Sequence, residues 1–196
     1  MSSVLVAYAT RYGSTHEAAE AVAAALDEHG LPARTALMRE VTDLAGCTAV
    51  VVGAPLFMGA WHMDAHAFLR AHRDVLSRIP VAVFALGPTR DPYDPAEWAQ
   101  SRAQLAKALG RHPWLRPVDV AMFGGRYDPT TARLRPHAGG DGRAGDEHVP
   151  QELGVHPEHV AEADRGERVV PVAGDIRDGA RVARWAGTLA DQFIKT

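Results

Sequence analysis

The hydrophobic positions near the start of the chain change their period within a few residues. Val4 to Tyr8 is a continuous apolar run, which is typical of a strand buried on both faces of a sheet. After a turn at residues 10–15, apolar residues recur at helical spacing at Ala18, Val22, Ala25 and Leu26. The pattern predicts a strand, a turn and a helix in succession.

The same two periods alternate through the first two thirds of the chain. Further strands are predicted at Ala33–Leu37, Ala49–Gly53, Val81–Ala85 and Val118–Phe123, and further helices at Asp64–Ser77 and Pro95–Leu109. The last of these helices is predicted to begin at Asp94 and Pro95, because an acidic residue followed by proline is typical of a helix N-terminus. Alternating strands and helices imply an α/β fold, a doubly wound parallel sheet with helices on both faces and right-handed crossovers.

The alternation stops at Asp128. Residues 128–174 are dense in Gly, Pro, His, Asp and Arg and nearly lack large aliphatic side chains, which predicts a disordered or loosely packed insertion. As an alternative to complete disorder, this insertion could contain a short helix at Glu158–Arg165 and a strand at Arg168–Val172. Helical spacing returns at Asp175–Ile194 and predicts a C-terminal helix that packs back on the sheet, so residues 1–196 are expected to form one domain.

Composition limits the classes of protein that fit. The 196 residues are 46% hydrophobic, enough for a sizeable core. A formal net charge of -3, with basic residues scattered among acidic ones, predicts no nucleic-acid partner. Cys47 is the single cysteine, which rules out an internal disulfide. Because no apolar run approaches the roughly 20 residues that cross a bilayer, we expect a cytoplasmic protein without a transmembrane segment.

The turn between the first strand and the first helix carries groups that suit an anion. Thr10, Ser14 and Thr15 offer hydroxyl donors, and Gly13 allows a tight turn. The first amides of a helix lack partners within the helix and its dipole favours negative charge there. The same residues also suit an ordinary N-cap and turn. Because the glycine patterns of nucleoside triphosphate and dinucleotide sites do not occur, a monophosphate is the favoured ligand.

This turn also resembles a known loop. The Thr-Arg-x-Gly-x-Thr arrangement at Thr10, Arg11, Gly13 and Thr15 is similar to the FMN phosphate loop of flavodoxin-like proteins. It is most similar to the quinone-dependent protoporphyrinogen IX dehydrogenase family, whose loop also carries an Arg after its first Thr. The resemblance implies a flavodoxin-like sheet with strand order 2-1-3-4-5 and FMN as cofactor.

Further blocks follow in the same order as in that family. Val50–His62 resembles its strand, Gly-Ala pair, aromatic loop and Gly-x-x-His ending. Ile79–Pro88 and Val120–Tyr127 continue the resemblance. Each motif alone has low specificity, but the ordered set is fairly specific to the family.

The resemblance implies that three loops hold FMN at the carboxyl edge of the sheet. The phosphate loop would be Thr10, Arg11, Tyr12, Gly13, Ser14 and Thr15. The loops flanking the flavin ring would contain Ala54, Pro55, Leu56, Phe57, Met58, Gly59 and Trp61, and then Leu86, Gly87 and Pro88 in a segment running to Trp98. Candidates for stacking on the ring are Phe57, Trp61, Tyr93 and Trp98, of which the first two are favoured, although loop aromatics often cover a core instead.

Two histidines raise the question of a metal. His62 and His66 are four residues apart with Asp64 between them, a spacing that can place two imidazoles on one face of a helix. A third ligand at a recognisable spacing does not accompany them, so no metal site is predicted. The sequence does not identify a catalytic residue.

The implied function is an FMN-dependent oxidoreductase that passes reducing equivalents from an organic donor to a quinone-like acceptor, within porphyrin biosynthesis. In that family the region corresponding to residues 128–174 has apolar, basic helical character associated with membrane and quinone contact, and here that character is missing. Peripheral membrane contact is therefore not expected. The oligomeric state does not follow from the sequence.

Two alternatives remain. A flavodoxin-type electron carrier would exchange electrons with a redox protein rather than with a small-molecule substrate. Such carriers steer toward partners by a strongly acidic surface, and a net charge of -3 supplies little steering. The second alternative is a binding or regulatory module of the same fold without turnover.

Overall fold

The computed structural model describes residues 3–11, 13–57, 59–88, 94–127, 174–175 and 178–195. The strands are β1 (Ser3–Tyr8), β2 (Ala33–Leu37), β3 (Cys47–Phe57), β4 (Ala60–Trp61), β5 (Val81–Leu86), β6 (Asp119–Phe123), β7 (Arg126–Tyr127) and β8 (Gly174–Asp175). The helices are α1 (Ser14–Glu28), α2 (Met63–Ala71), α3 (Arg73–Leu76), α4 (Pro95–Leu109) and α5 (Gly179–Ile194), with a short 3-10 helix at Met38–Glu40.

Five parallel strands form the main sheet in the order β2-β1-β3-β5-β6. Counted along the chain without the short β4, this is the order 2-1-3-4-5, which confirms the predicted doubly wound topology. β4 pairs antiparallel with the end of β3, and β7 pairs antiparallel with β8 in a separate two-stranded sheet. Neither of these short pairings was predicted from the sequence.

The alternation of side chains along β1 divides the core into two layers. Val4, Val6 and Tyr8 belong to the cluster formed with α1 and α5. Leu5, Ala7 and Ala9 belong to the cluster on the opposite face, formed with α2 and α4. Because both faces are covered, β1 is apolar at every position from Val4 to Tyr8, as expected for a central parallel strand.

A glycine in β3 permits close packing between the strands and α5. A Cβ atom at Gly53 would overlap the ring of Phe84, which is fully buried in β5. Phe84 in turn packs against Trp185 of α5, with 6.1 Å between ring centroids. Gly53 therefore leaves room for an aromatic residue that joins the sheet to the C-terminal helix.

Several boundaries differ from the predicted ones. β3 runs to Phe57 instead of ending at Gly53, because it gains an antiparallel partner in β4. The helix predicted at Asp64–Ser77 is divided into α2 and α3 at His72, whose Nε2 lies 3.3 Å from the Val41 carbonyl oxygen. Pairing of its side chain with a distant backbone group explains why the break was not predicted.

The C-terminal helix begins later than predicted. Asp178 accepts a hydrogen bond from the Arg181 amide at 3.0 Å and caps α5, while Asp175 lies in β8. The predicted insertion, with its alternative helix and strand, lies outside the described residues apart from Gly174. Its disorder and the single-domain organisation of residues 1–196 stay predictions. In the described part of the chain, no helix combines the length and apolar character needed to span a bilayer.

Candidate functional site

The first predicted loop forms a tight turn at the start of α1. Gly13 adopts φ 93°, a left-handed conformation that favours glycine, and its N–H donates to Thr10 Oγ1 at 2.9 Å. The His16 N–H donates to the Gly13 carbonyl oxygen at 3.0 Å as the helix begins. Thr10 uses an acceptor site in this turn, so its O–H can still donate to an external acceptor.

Thr15 carries an unpaired polar atom in this turn. Its side chain is 1% exposed, and among the described residues its Oγ1 has no hydrogen-bond partner. Within the described residues, no side-chain hydrogen bond caps α1 at its N-cap residue Gly13, although Ser14 and Thr15 lie in its first turn. A buried hydroxyl at an uncapped helix start is the donor set expected for an anion such as phosphate.

The second predicted loop is a β-hairpin. Pro55 still pairs with Leu86 of β5, while Leu56 and Phe57 pair with Trp61 and Ala60 of β4. Gly59 lies in the connecting turn with φ 80°, which short hairpin turns require. Hairpin pairing holds this segment in a defined position at the carboxyl edge of the sheet.

A cation–π contact joins the first two loops. The guanidinium carbon of Arg11 lies 4.2 Å from the centroid of the Phe57 ring. The structure therefore brings together Arg11 and Phe57, which were assigned to separate loops in the sequence. Arg11 precedes α1 by three residues in the chain, so its charge is available near the predicted anion loop.

The other stacking candidates differ in position. Trp61 is 2% exposed, and its indole N–H donates to the Ala54 carbonyl oxygen at 3.3 Å, so its ring belongs to the core beneath the hairpin. Trp98 is 9% exposed, with the guanidinium carbon of Arg181 5.2 Å from its ring centroid. Both rings are buried in this structure, and stacking of Trp61 on the flavin stays a prediction. Tyr93, like Tyr12 and Met58, lies outside the described residues.

The third loop starts at the same sheet edge. The Gly87 N–H donates to the Phe123 carbonyl oxygen at 2.9 Å, and the Gly125 N–H donates to the Pro88 carbonyl oxygen at 2.7 Å. A Cβ atom at Gly87 would lie 2.6 Å from Met122 Sδ, so packing requires glycine there. These bonds bring Leu86, Gly87 and Pro88 beside the segment that follows β6.

That segment was not assigned to the site from the sequence. Gly124 lies with Leu86 and Phe123 in a cavity of about 510 Å³ that also contacts the first turns of α1 and α5. Its charged lining residues are Glu17 and Asp178. The signal for this segment was the Phe-Gly-Gly-Arg-Tyr motif ending at Tyr127, which carried the family resemblance but no assigned role.

The two histidines next to the second loop have separate partners. His62 caps α2 by accepting from the Asp64 N–H at 3.2 Å, whereas His66 Nδ1 lies 2.8 Å from His112 Nε2. Among the described residues, no group of three or more His, Cys, Asp or Glu side chains could hold a metal ion.

Fold and site together define an α/β protein with three loops at the carboxyl edge of its sheet, one of them suited to an anion. Residues 5–134 match the family model described as flavodoxin domain. The chain therefore belongs to the flavodoxin domain family. No match was found among curated proteins.

Solved structures share this fold at low sequence identity. The rubredoxin oxygen:oxidoreductase from Desulfovibrio gigas is 13% identical with a TM-score of 0.53, over 98% of this chain and 36% of that one, so this chain spans about a third of that protein. A flavodoxin from the domain Archaea is 15% identical with a TM-score of 0.47, over 66% of this chain and 89% of that one. The Megasphaera elsdenii flavodoxin is 15% identical with a TM-score of 0.44, over 61% of this chain and 84% of that one.

FMN is the cofactor of the flavodoxin domain family, which confirms the expected cofactor class. The residues of this chain fit the group. The buried Thr15 hydroxyl lacks a partner within the described structure, and the uncapped start of α1 offers amides to a phosphate. Which side chains contact the flavin ring stays a prediction.

Proposed function

We propose that this protein binds FMN and acts as an oxidoreductase that passes reducing equivalents from an organic donor to a quinone-like acceptor. The single observation that carries the FMN part is the buried, unpaired Thr15 hydroxyl at the uncapped start of α1. Thr10, Ser14 and Thr15 would hold the phosphate, and Arg11 would add a positive charge beside it. The 54–61 hairpin and the loop from Leu86 to Pro88 would flank the ring.

In each turnover the donor would lose two electrons and two protons, which the acceptor would take up. When bound, FMN supplies the redox chemistry of this transfer. The chain's own part is to hold the phosphate, to orient the ring between two rigid loops and to limit access of water. The sequence resemblance suggests protoporphyrinogen as the donor. A cytoplasmic location of the protein also stays a prediction.

The first test is retention of FMN. Purified protein is saturated with FMN, passed through a desalting column and examined by visible absorption. Riboflavin, which lacks the phosphate, is the matched control ligand. We expect a retained flavin band with FMN and a much smaller one with riboflavin. Equal retention of both would contradict the phosphate assignment, and colourless protein with both would contradict the flavoprotein proposal.

A flavodoxin-type electron carrier is the second candidate, favoured by the match of residues 5–134 to the flavodoxin domain. Stopped-flow and steady-state assays of the FMN-loaded protein distinguish the two. Multiple turnover of protoporphyrinogen with a soluble quinone supports the oxidoreductase. Single-turnover reduction, followed by reoxidation only through another redox protein, supports the carrier.

A further inference from the structure

A cluster of basic side chains surrounds a second cavity, which is lined by residues outside the three loops. The cavity has a volume of about 660 Å³ and lies between α2, α3 and the segment that follows α4. This size is in the range of small-molecule sites, about 300–1,000 Å³. Its basic lining residues are His66, Arg70, Arg73, Arg111 and His112.

The two walls of the cavity come from distant parts of the sequence. His66 and Arg70 are four residues apart on α2 and so lie on one face of that helix, and Arg73 at the start of α3 lines the same cavity. Arg111 and His112 come from the opposite wall. The basic residues, which are scattered in the sequence, are therefore grouped by the fold.

The charges in this cavity are not balanced by carboxylates. Among the residues that the structure describes, Arg70, Arg73 and Arg111 form no ion pair with Asp or Glu. Asp64 is the one acidic lining residue that the structure describes. Arg73 instead lies near an aromatic ring, with its guanidinium carbon 5.7 Å from the centroid of Trp114. Three guanidinium groups facing one carboxylate leave a net positive site.

Two neighbouring histidines also line the cavity. His66 and His112 are stacked, with 5.1 Å between ring centroids, and His112 is buried. Burial, and then His112, Arg111 and Arg70, lower the pKa of His66. Burial, and then Arg70 and Arg111, lower the pKa of His112. The two rings are joined by a hydrogen bond of 2.8 Å between His66 Nδ1 and His112 Nε2, and their lowered pKa values favour the neutral form.

We propose that this cavity binds a small organic polyanion, a molecule with at least two carboxylate or phosphate groups that pair with Arg70, Arg73 and Arg111. The planar guanidinium group matches both kinds of anion by paired hydrogen bonds. Trp114 supplies an apolar surface for the body of the ligand. None of its lining residues belongs to the three loops, so we expect the anion to bind with or without FMN, although His66 lies against Trp61 of the second loop with 5.6 Å between ring centroids.

The test is isothermal titration calorimetry of the full chain with citrate and pyrophosphate, in low-salt buffer without phosphate, with and without FMN. We expect binding of one anion per chain in both states. Arg70→Gln and Arg111→Gln should each raise the Kd about tenfold or more, since each removes charge-assisted hydrogen bonds. Arg78→Gln, which removes an exposed arginine just beyond α3 and outside the cavity, is the matched control and should leave the Kd unchanged.

Three results would overturn the proposal. The first is that neither citrate nor pyrophosphate gives a binding isotherm at concentrations up to about 10 mM, which would mean a Kd above that concentration for both. The second is equal weakening by Arg78→Gln, which would show diffuse surface attraction. The third is binding of a polyglutamate peptide but of neither small anion, which would identify an acidic protein surface as the partner. Circular dichroism checks that the variants, all at exposed positions, are folded.

Discussion

At the scale of single residues, Thr15 has a property that folding alone does not explain. Its hydroxyl is buried and, within the described structure, unpaired, which costs about 1–3 kcal/mol relative to a satisfied group. Thr10 and Gly13 close the turn by their own hydrogen bond, so the turn does not need Thr15 Oγ1. A hydroxyl kept at a cost to stability is consistent with a role in holding a ligand.

Thr15→Val keeps the shape of the side chain and removes the hydroxyl. We expect the free energy of unfolding of the FMN-free protein to rise by about 1 kcal/mol, because the unpaired group is gone. We expect the FMN Kd to rise about fivefold, through loss of one hydrogen bond of about 1 kcal/mol. Urea denaturation and FMN fluorescence titration measure the two effects.

The matched control is Thr42→Val at an exposed threonine between the 3-10 helix and β3. It should change the FMN Kd little. A Thr15→Val protein that is less stable and binds FMN as tightly as the parent would show that the hydroxyl is structural, and would remove it from the phosphate site.

At the scale of elements, contacts between segments changed the expected roles of several residues. The four-residue spacing of His62 and His66 would allow them to share one face of a helix. In the structure His62 caps α2, and His66 pairs with His112, 46 positions further along the chain. Helical spacing can predict which side chains share a face, but not which segment packs against that face.

The paired histidines predict a pH dependence of stability. Their pKa values are lowered in the folded protein, first by burial, so the unfolded chain takes up protons at higher pH than the folded one. The pair's contribution to stability is therefore fully present above the ordinary histidine pKa of about 6.5 and declines as pH falls below it. Urea denaturation between about pH 7.5 and 5.5 should show this loss.

His66→Asn should make that decline shallower, because one proton-linked group is removed. His16→Asn, on the exposed side of α1, is the matched control and should retain the slope of the parent protein. An identical slope in the parent and the His66→Asn variant would show that other groups cause the acid sensitivity.

At the scale of the whole molecule, α5 completes the layer that α1 begins. Val182, Ala186, Leu189 and Ala190 are buried in one cluster with α1 and the sheet. The Trp185 indole N–H also donates to Asp119 of β6 at 2.9 Å, which ties the helix to the edge strand. The C-terminal helix is thus part of the main core, although a long segment separates it from β7 in the sequence.

Leu189→Ala tests this integration. Leu189 is fully buried, so its truncation should lower the free energy of unfolding of the whole protein by about 2–5 kcal/mol. Ile194→Ala, at a residue that is 64% exposed near the end of the same helix, is the matched control and should cost much less. Two separate unfolding transitions, with only one shifted by Leu189→Ala, would contradict a shared core.

The element types and most of their positions could be predicted from the sequence, and an anion-binding role for the first loop stays a prediction from the same kind of local pattern. These depend on periodicity and on residues close together in the chain, such as Thr10, Gly13 and Thr15, and the ordered motifs added the strand order. Tertiary structure decided the β3–β4 hairpin, the burial of Trp61, the His66–His112 pair and the grouping of Arg70, Arg73 and Arg111. Each of these depends on packing between segments far apart in sequence, which no local pattern specifies.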